Sequence, residues 1–300
     1  IQYIIGQLNG PIEQFIQLVQ LTQDAMISME RLNEIHTLED EEPAGVAKVT
    51  VLPGNSDIVL KNVDFKYTGV GNDLVLTDIN LIIPRGKMTA IVGVSGSGKT
   101  TLLKLLMKFY MPVNGKIMIG NTDLQEISNK TWRSNCGAVM QDSYIFPDSI
   151  ANNIAVSDEE PDVDKLKQAC HIANIADFIE ELPLGFNTVI GTNGSGLSQG
   201  QKQRLLIARA AYKNPEFIFF DEATNSLDAN NERVIMENLE SFFKGKTVIV
   251  AAHRLSTVKH ADQIIVIDRG RIVEKGTHAG LVALKGAYFT LVKNQLELGD

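Results

Sequence analysis

The sequence lacks several features that define large protein classes. It has two cysteines in 300 residues, Cys136 and Cys170, with neither the density of a secreted disulfide scaffold nor metal-ligand spacing. No signal peptide, initiator Met or uninterrupted apolar run of about 18 residues is present. The number and spacing of the cysteines favour a reducing cytosol. The chain begins within a pattern at Ile1, so we interpret it as a piece of a longer protein.

Clusters of positive charge are also missing. The formal net charge is −8, and no dense Lys/Arg block appears. Binding to a phosphate backbone requires a basic surface, so nucleic acid is a poor candidate partner. With 44% hydrophobic residues, the chain can bury one large core or two modest ones.

What is present is a glycine-rich turn between a predicted strand and a predicted helix. An apolar run ends at Val92, and leucines at helical spacing follow Lys99. Residues 93–100 between them fit the pattern GxxxxGK[ST], which binds nucleotide phosphates.

Each fixed position of this loop has a physical reason. Gly93, Gly96 and Gly98 let the backbone turn its amides around an anion at a helix N-terminus. Lys99 supplies a mobile positive charge for the β- and γ-phosphates, and the Thr100 hydroxyl can ligate Mg²⁺. The alternative is an ordinary flexible turn.

An apolar run, Phe217 to Phe220, ends in two acids. Asp221 at the predicted strand tip would hold Mg²⁺ through water. Glu222 would act as general base or orient the attacking water, as hydrolysis of a nucleotide requires. Two acids at a strand end can also merely cap the next helix.

A second candidate site is the sequence LSQGQ, Leu197 to Gln201, before a helical run. Ser198 is predicted as the N-cap of that helix. The residues alone leave open whether this is a second anion site or only a capped helix.

The N-terminal residues 1–35 place apolar side chains three and four apart, which predicts a helix bent or interrupted near Gly10 and Pro11. The first charged side chain is Glu13. The segment is either a membrane helix leaving the bilayer or an amphipathic helix packed on a core or partner. Residues 39–43 predict a charged linker.

Short apolar segments alternate with helical spacing along the rest of the chain, which favours a parallel sheet covered by helices. We expect a helix over residues 162–182 and a polar, glycine-rich loop over 185–200. The predicted strands lie at 58–67, 76–83, 115–120, 137–140, 217–220, 247–251 and 263–267.

The motifs described above are followed by Ser226-Leu227-Asp228 and His253. This is the order seen in ATP-binding cassette (ABC) ATPases, and the chain resembles that family over residues 57–295. The resemblance implies an α/β P-loop NTPase fold. It would contain a parallel RecA-like core sheet with helices, an antiparallel β subdomain and an α-helical signature subdomain at about 142–215. Residues 1–42 would be the cytosolic end of the last transmembrane helix and a linker.

The resemblance also implies roles for single residues. Gln141 resembles the glutamine that senses the metal and the γ-phosphate, and Tyr67 the aromatic residue that stacks on adenine. Asp228 resembles the aspartate that meets the partner subunit, and His253 the histidine that contacts the γ-phosphate. Catalysis would rest on Glu222, His253 and Gln141, and the metal on Thr100, Gln141 and Asp221. The expected ATP-binding residues are Tyr67, Gly93, Ser95, Gly96, Ser97, Gly98, Lys99, Thr100, Thr101, Ser198, Gly200, Gln201 and Asp228.

In that family two chains sandwich two nucleotides, so Ser198, Gly200 and Gln201 are expected to act on the ATP of a second copy. Gln199 stands where the family usually has glycine. Residues 8–20, 28–35 and 150–162 are similar to bacterial peptidase-containing exporters. This resemblance implies a homodimer that exports peptides from the cytoplasmic face of the inner membrane using ATP and Mg²⁺. The alternatives are a soluble chromosome-maintenance or repair ATPase, an importer cassette and a binding-only cassette.

Overall fold

A computed structural model describes residues 2–38, 40–42, 47–54, 56–69, 71, 73–156, 158–221, 229–252 and 258–297. The chain divides into two units, residues 1–47 and 48–300. The strands are β1 Ile58–Phe65, β2 Leu76–Ile83, β3 Met88–Val92, β4 Asn114–Ile119, β5 Thr122–Asp123, β6 Cys136–Val139, β7 Phe217–Asp221, β8 Thr247–Ala251, β9 Gln263–Asp268 and β10 Arg271–Gly276. The helices are α1 Gln2–His36, α2 Lys99–Leu106, α3 Asn129–Asn135, α4 Ile150–Ile154, α5 Val163–Ile172, α6 Ala176–Glu180, α7 Gln199–Lys213, α8 Ala229–Phe243, α9 His278–Leu284 and α10 Ala287–Glu297.

The first unit is a single long helix. The predicted interruption near Gly10 and Pro11 is wrong, because α1 continues through Pro11. Several large apolar side chains of α1 are exposed, among them Phe15 and Met29. No helix in the described part of the chain, α1 included, combines the length and the hydropathy needed to cross a bilayer. Of the predicted linker, Glu39 and Pro43 lie outside the described residues.

The central sheet of the second unit has six strands in the order β10-β9-β3-β8-β7-β6. The five strands from β9 to β6 run parallel, and β10 pairs antiparallel with β9. Alternate residues of β7 lie in different hydrophobic cores. Ile218 and Phe220 belong to one core, and Phe217 and Phe219 belong to the other. Both faces of the sheet are therefore buried, as a parallel sheet requires.

A separate antiparallel sheet has the order β2-β1-β4-β5. Its register pairs Ile58 with Ile83 on one side and with Ile119 on the other. These apolar side chains share one core with α2, so the antiparallel sheet packs against the phosphate-loop helix. The predicted parallel and antiparallel strands are confirmed, whereas β5 and β10 were not predicted.

The helical segment between β6 and β7 differs in one detail from the prediction. Residues 162–182 form two helices, α5 and α6, because the chain turns at Asn174, whose φ is +50°. Asparagine tolerates this left-handed conformation better than most residues. The predicted polar loop over 185–200 contains two short 3₁₀ turns before α7 begins at Gln199.

One aromatic side chain joins α3 to the end of α2. Trp132 is fully buried against Phe217, with ring centroids 4.9 Å apart. Its indole Nε1 donates to the Leu106 carbonyl oxygen at 3.0 Å, which satisfies an acceptor at the C-terminal end of α2. The phosphate-loop helix is thus held at the end opposite the loop.

We expect Trp132→Ala to lower the free energy of unfolding by about 3–5 kcal/mol, because it removes a large buried ring and leaves a cavity. Val51→Ala is the control, since Val51 is 76% exposed. This substitution should change the free energy of unfolding by less than about 0.5 kcal/mol. Urea denaturation followed by circular dichroism measures both. Equal stability of the two variants would contradict this role for Trp132.

Candidate functional site

The phosphate loop leaves the middle of the parallel sheet. β3 lies between β8 and β9, and Ile91 pairs with Ala251 and with Ile265. The loop, residues 93–98, therefore begins at the carboxyl edge of the sheet, where ligands bind in proteins of this architecture. It ends where α2 begins, so the helix N-terminus faces the same edge.

Close packing inside the loop requires glycine. A Cβ on Gly93 would overlap the carbonyl oxygen of Ile267 on β9 and come within 2.7 Å of Ser97 Oγ. Gly98 has φ +108°, and a Cβ there would come within 2.7 Å of Leu76 Cδ2. Both glycines allow the loop to lie directly against neighbouring strands.

Lys99 lies inside the loop and not out in solvent. It is 6% exposed, and its Nζ donates to the carbonyl oxygens of Gly93 at 3.0 Å and Val94 at 3.1 Å. The ammonium group is therefore held within the turn whose amides would surround a phosphate. The loop and its positive charge form one preorganised anion-binding element.

A cleft of about 340 Å³ adjoins this element, and it brings together the three residues predicted to hold metal, Thr100, Gln141 and Asp221. Asp221 is the last residue of β7 and is 2% exposed. Gln141 follows β6, the neighbour of β7 in the sheet. A hydroxyl, an amide oxygen and a carboxylate are hard oxygen donors, which suit Mg²⁺.

The described residues contain no group of three or more His, Cys, Asp or Glu side chains that could hold a metal ion by themselves. Mg²⁺ commonly binds through one or two carboxylates together with substrate phosphates. The cleft is lined by two carboxylate residues, Asp142 and Asp221, which beside a phosphate loop fit Mg²⁺ better than they fit a metal held by protein ligands alone.

Tyr67 packs beside the phosphate-loop helix. Its hydroxyl lies 3.1 Å from Thr101 Oγ1, and its ring meets Phe65 and Tyr110 edge-on at centroid distances of 4.9 and 5.2 Å. Stacking on adenine stays a prediction. Sequence reasoning missed Tyr110 and its neighbour Phe109, which lines the cleft. Two adjacent aromatic residues just after α2 were the available signal.

Ser198 is the N-cap of α7, as predicted. Its Oγ accepts from the Gln201 amide at 3.2 Å, and Gln201 Oε1 accepts from the Ser198 amide at 2.8 Å, which completes a capping box. Ser198 and Gln199 are exposed, and Gly200 is half-buried. None of these residues is among those lining the described cleft.

Three predicted site residues, Glu222, Asp228 and His253, lie outside the described residues. Glu222 directly follows Asp221 in the chain, and His253 directly follows Ala252. Their placement and roles stay predictions.

We expect Gly93→Ala to weaken ATP binding about tenfold, because moving the loop away from β9 costs about 1–3 kcal/mol. Gly54→Ala is the control, since nothing lies within 4 Å of a Cβ at Gly54. Isothermal titration with Mg·ATP measures both variants. Wild-type ATP affinity in Gly93→Ala would show that the tight packing of the loop against β9 does not contribute to ATP binding.

Comparison with known proteins agrees with this geometry. The family model described as ABC transporter matches residues 76–225. The exotoxin translocation ATP-binding protein PaxB of Pasteurella aerogenes is 42% identical over 294 residues, which are 97% of this chain and 40% of that protein. The alpha-hemolysin translocation ATP-binding protein HlyB of Escherichia coli is 43% identical over 281 residues, 93% of this chain and 39% of that protein.

A solved structure, a bacterial Atm1-family ABC exporter with ATP bound, superposes with a TM-score of 0.84 at 35% sequence identity. The alignment covers 91% of this chain and 47% of that one. The chain spans about 40% of the length of the curated relatives it matches. The ABC cassette fold, predicted from the order of the motifs, is thereby confirmed. A family model matches half of the residues, and the phosphate loop leaves the middle of the sheet. The chain therefore belongs to the ABC transporter family and corresponds to its ATP-binding domain.

Proposed function

We propose that this chain supplies the energy for an ABC exporter by binding ATP with Mg²⁺ and hydrolysing it between two copies of itself. The observation that carries the proposal is the cleft in which Thr100, Gln141 and Asp221 meet beside the phosphate loop. The chain thus offers an anion-binding turn and a set of oxygen ligands at the same sheet edge. Phosphoryl transfer requires little more than such positioning and charge stabilisation.

In this mechanism the loop amides and Lys99 bind the β- and γ-phosphates. The Thr100 hydroxyl, Asp221 and Gln141 would hold Mg²⁺, which neutralises charge on the phosphates when bound. Glu222 takes the proton of the attacking water or orients that water, and His253 contacts the γ-phosphate. Tyr67 stacks on adenine, with Thr101 fixing its hydroxyl at 3.1 Å. Ser95, Gly96 and Ser97 contribute to the phosphate-binding turn.

The second copy would complete the site. Ser198 caps a fifteen-residue helix and is exposed, so the positive end of α7 is available to a ligand held by another chain. We propose that Ser198, Gly200 and Gln201 contact the γ-phosphate bound by the partner copy, and that Asp228 meets that partner. Gln199 adds an exposed side chain at this surface.

The export role is supported by the relatives, two of which are named for the translocation of an exotoxin and of alpha-hemolysin. We propose a polypeptide cargo, with a peptide as the specific prediction. Residues 1–42 would be the cytosolic end of the last transmembrane helix and a linker, and 57–295 the ATP-binding domain with its helical subdomain at about 142–215. The exposed apolar side chains of α1 support a membrane-domain context at the cytoplasmic face of the inner membrane.

We expect Glu222→Gln to reduce steady-state ATP hydrolysis by a factor of about 10²–10⁴ while ATP binding stays within about twofold, because the base is lost and the phosphate loop is intact. Glu240→Gln, an exposed position on α8, is the control and should hydrolyse ATP at the wild-type rate. Phosphate release and nucleotide titration measure the two properties. Unchanged turnover in Glu222→Gln would contradict the assigned mechanism.

We expect the Glu222→Gln variant to double its mass when Mg·ATP is added, because the trapped nucleotide bridges two copies. Adding Ser198→Arg to that variant should keep it monomeric, since a bulky charge would replace the cap that meets the partner's nucleotide. Ser134→Arg, at an exposed position of α3, should leave dimerisation unchanged. Sedimentation velocity distinguishes the species, and a monomer at every nucleotide concentration would rule out action across two copies.

A further inference from the structure

Residues 142–149 directly follow Gln141 and are called the Gln141 segment below. They form neither a helix nor a strand of the two sheets. Asn153, fully buried on α4, holds the segment in shape. Its Nδ2 donates to the carbonyl oxygens of Phe146 at 2.9 Å and Ser149 at 3.0 Å, and its Oδ1 accepts from the Phe146 amide at 2.9 Å. The backbone of the segment is therefore folded around one amide side chain.

A side chain from α7 binds the same segment. Arg209 Nη1 donates to the Tyr144 carbonyl oxygen at 2.9 Å, Nε to the Asn153 carbonyl oxygen at 2.7 Å, and Nη2 to Asn153 Oδ1 at 3.2 Å. Its guanidinium also lies 5.6 Å from the centre of the Phe146 ring. These contacts join residues more than fifty positions apart in the chain.

The hydrogen-bond acceptors of Arg209 are neutral oxygens and not carboxylates. Burial lowers the pKa of Arg209 to about 10, so the group stays charged at neutral pH. A charged donor with neutral acceptors makes stronger hydrogen bonds than a neutral pair does. Lysine has no planar fork and cannot reach three separated acceptors in the same way.

The helix that carries Arg209 is α7, whose N-cap is Ser198. At a rise of about 1.5 Å per residue, the cap lies roughly 16 Å along the axis from Arg209. A displacement of the Gln141 segment would thus be passed through Arg209 to a helix whose N-cap, Ser198, meets the partner's nucleotide in the proposed function.

We propose that Arg209, together with Asn153, is a positioning residue that makes the Gln141 segment and the Ser198 helix move as one body. This inference rests on the proposed function, in which Gln141 contacts one nucleotide and Ser198 the other. Loss of the link would misplace Gln141 during hydrolysis without removing any group that binds ATP.

The test compares Arg209→Gln and Arg209→Lys with Arg204→Gln in the full chain. Arg204 lies on the same helix but donates Nη1 to the Asn174 carbonyl oxygen at 2.6 Å, away from the Gln141 segment. We expect Arg209→Gln to lower kcat about tenfold with KM for ATP within about twofold, and Arg209→Lys to recover part of the loss. Arg204→Gln should keep both constants within about twofold, whatever its melting temperature.

Hydrogen exchange followed by mass spectrometry gives a readout that does not depend on ATP hydrolysis. Peptides covering 142–149 should exchange about fivefold faster in Arg209→Gln than in wild type or Arg204→Gln. If Arg209→Gln does not fold, Arg209→Lys must show the faster exchange and the reduced kcat. Wild-type exchange, an unchanged kcat, or an equal loss of kcat in Arg204→Gln would each overturn the proposal. If the wild-type chain has no ATPase activity, the proposed function is refuted. The exchange data would still test whether Arg209 holds the Gln141 segment to α7.

Discussion

The parallel alignment of β3 with β8 and β9, and of β7 with β6 and β8, is the constraint on which the site depends. Parallel strands end at the same edge of a sheet, so the loops that leave β3, β6 and β7 meet there. Thr100, Gln141 and Asp221 converge on one cleft for this reason. A register shift of one residue would turn buried strand positions towards the opposite core. It would also displace Asp221 from the cleft.

The phosphate loop adds a local constraint to this arrangement. Gly93 lies so close to the Ile267 carbonyl oxygen that the loop packs directly against β9, with no room for a Cβ between them. At the far end of the helix that follows the loop, Trp132 holds the last turn of α2 by donating to the Leu106 carbonyl oxygen. The anion-binding turn is therefore fixed by the strand before it, the strand beside it and the helix after it. Preorganisation of this kind lets amide dipoles and a lysine charge act on a phosphate without reorganisation.

The helical segment between β6 and β7 is built differently. Ile145 of the Gln141 segment is buried in the same core as Leu205 and Ile207 of α7. In addition, Asn153 and Arg209 donate hydrogen bonds to backbone oxygens, and an aromatic ring lies beside the guanidinium. Directional bonds of this type keep their geometry only when both partners move together. Hydrophobic packing alone, as between α5 and α7, would allow more sliding.

The sequence by itself determined the phosphate loop, the strand that ends in Asp221 and the capped start of α7, because each is encoded in contiguous residues whose spacing sets the local backbone. It also indicated two kinds of sheet, although it missed β10 and the turn at Asn174, where no strong signal opposes the helical spacing. Only the tertiary structure decided that Thr100, Gln141 and Asp221 share a cleft, that Tyr67 binds Thr101, and that Arg209 ties α7 to the Gln141 segment. Such contacts join residues far apart in the chain, so they follow from strand order and side-chain packing, which local periodicity does not contain.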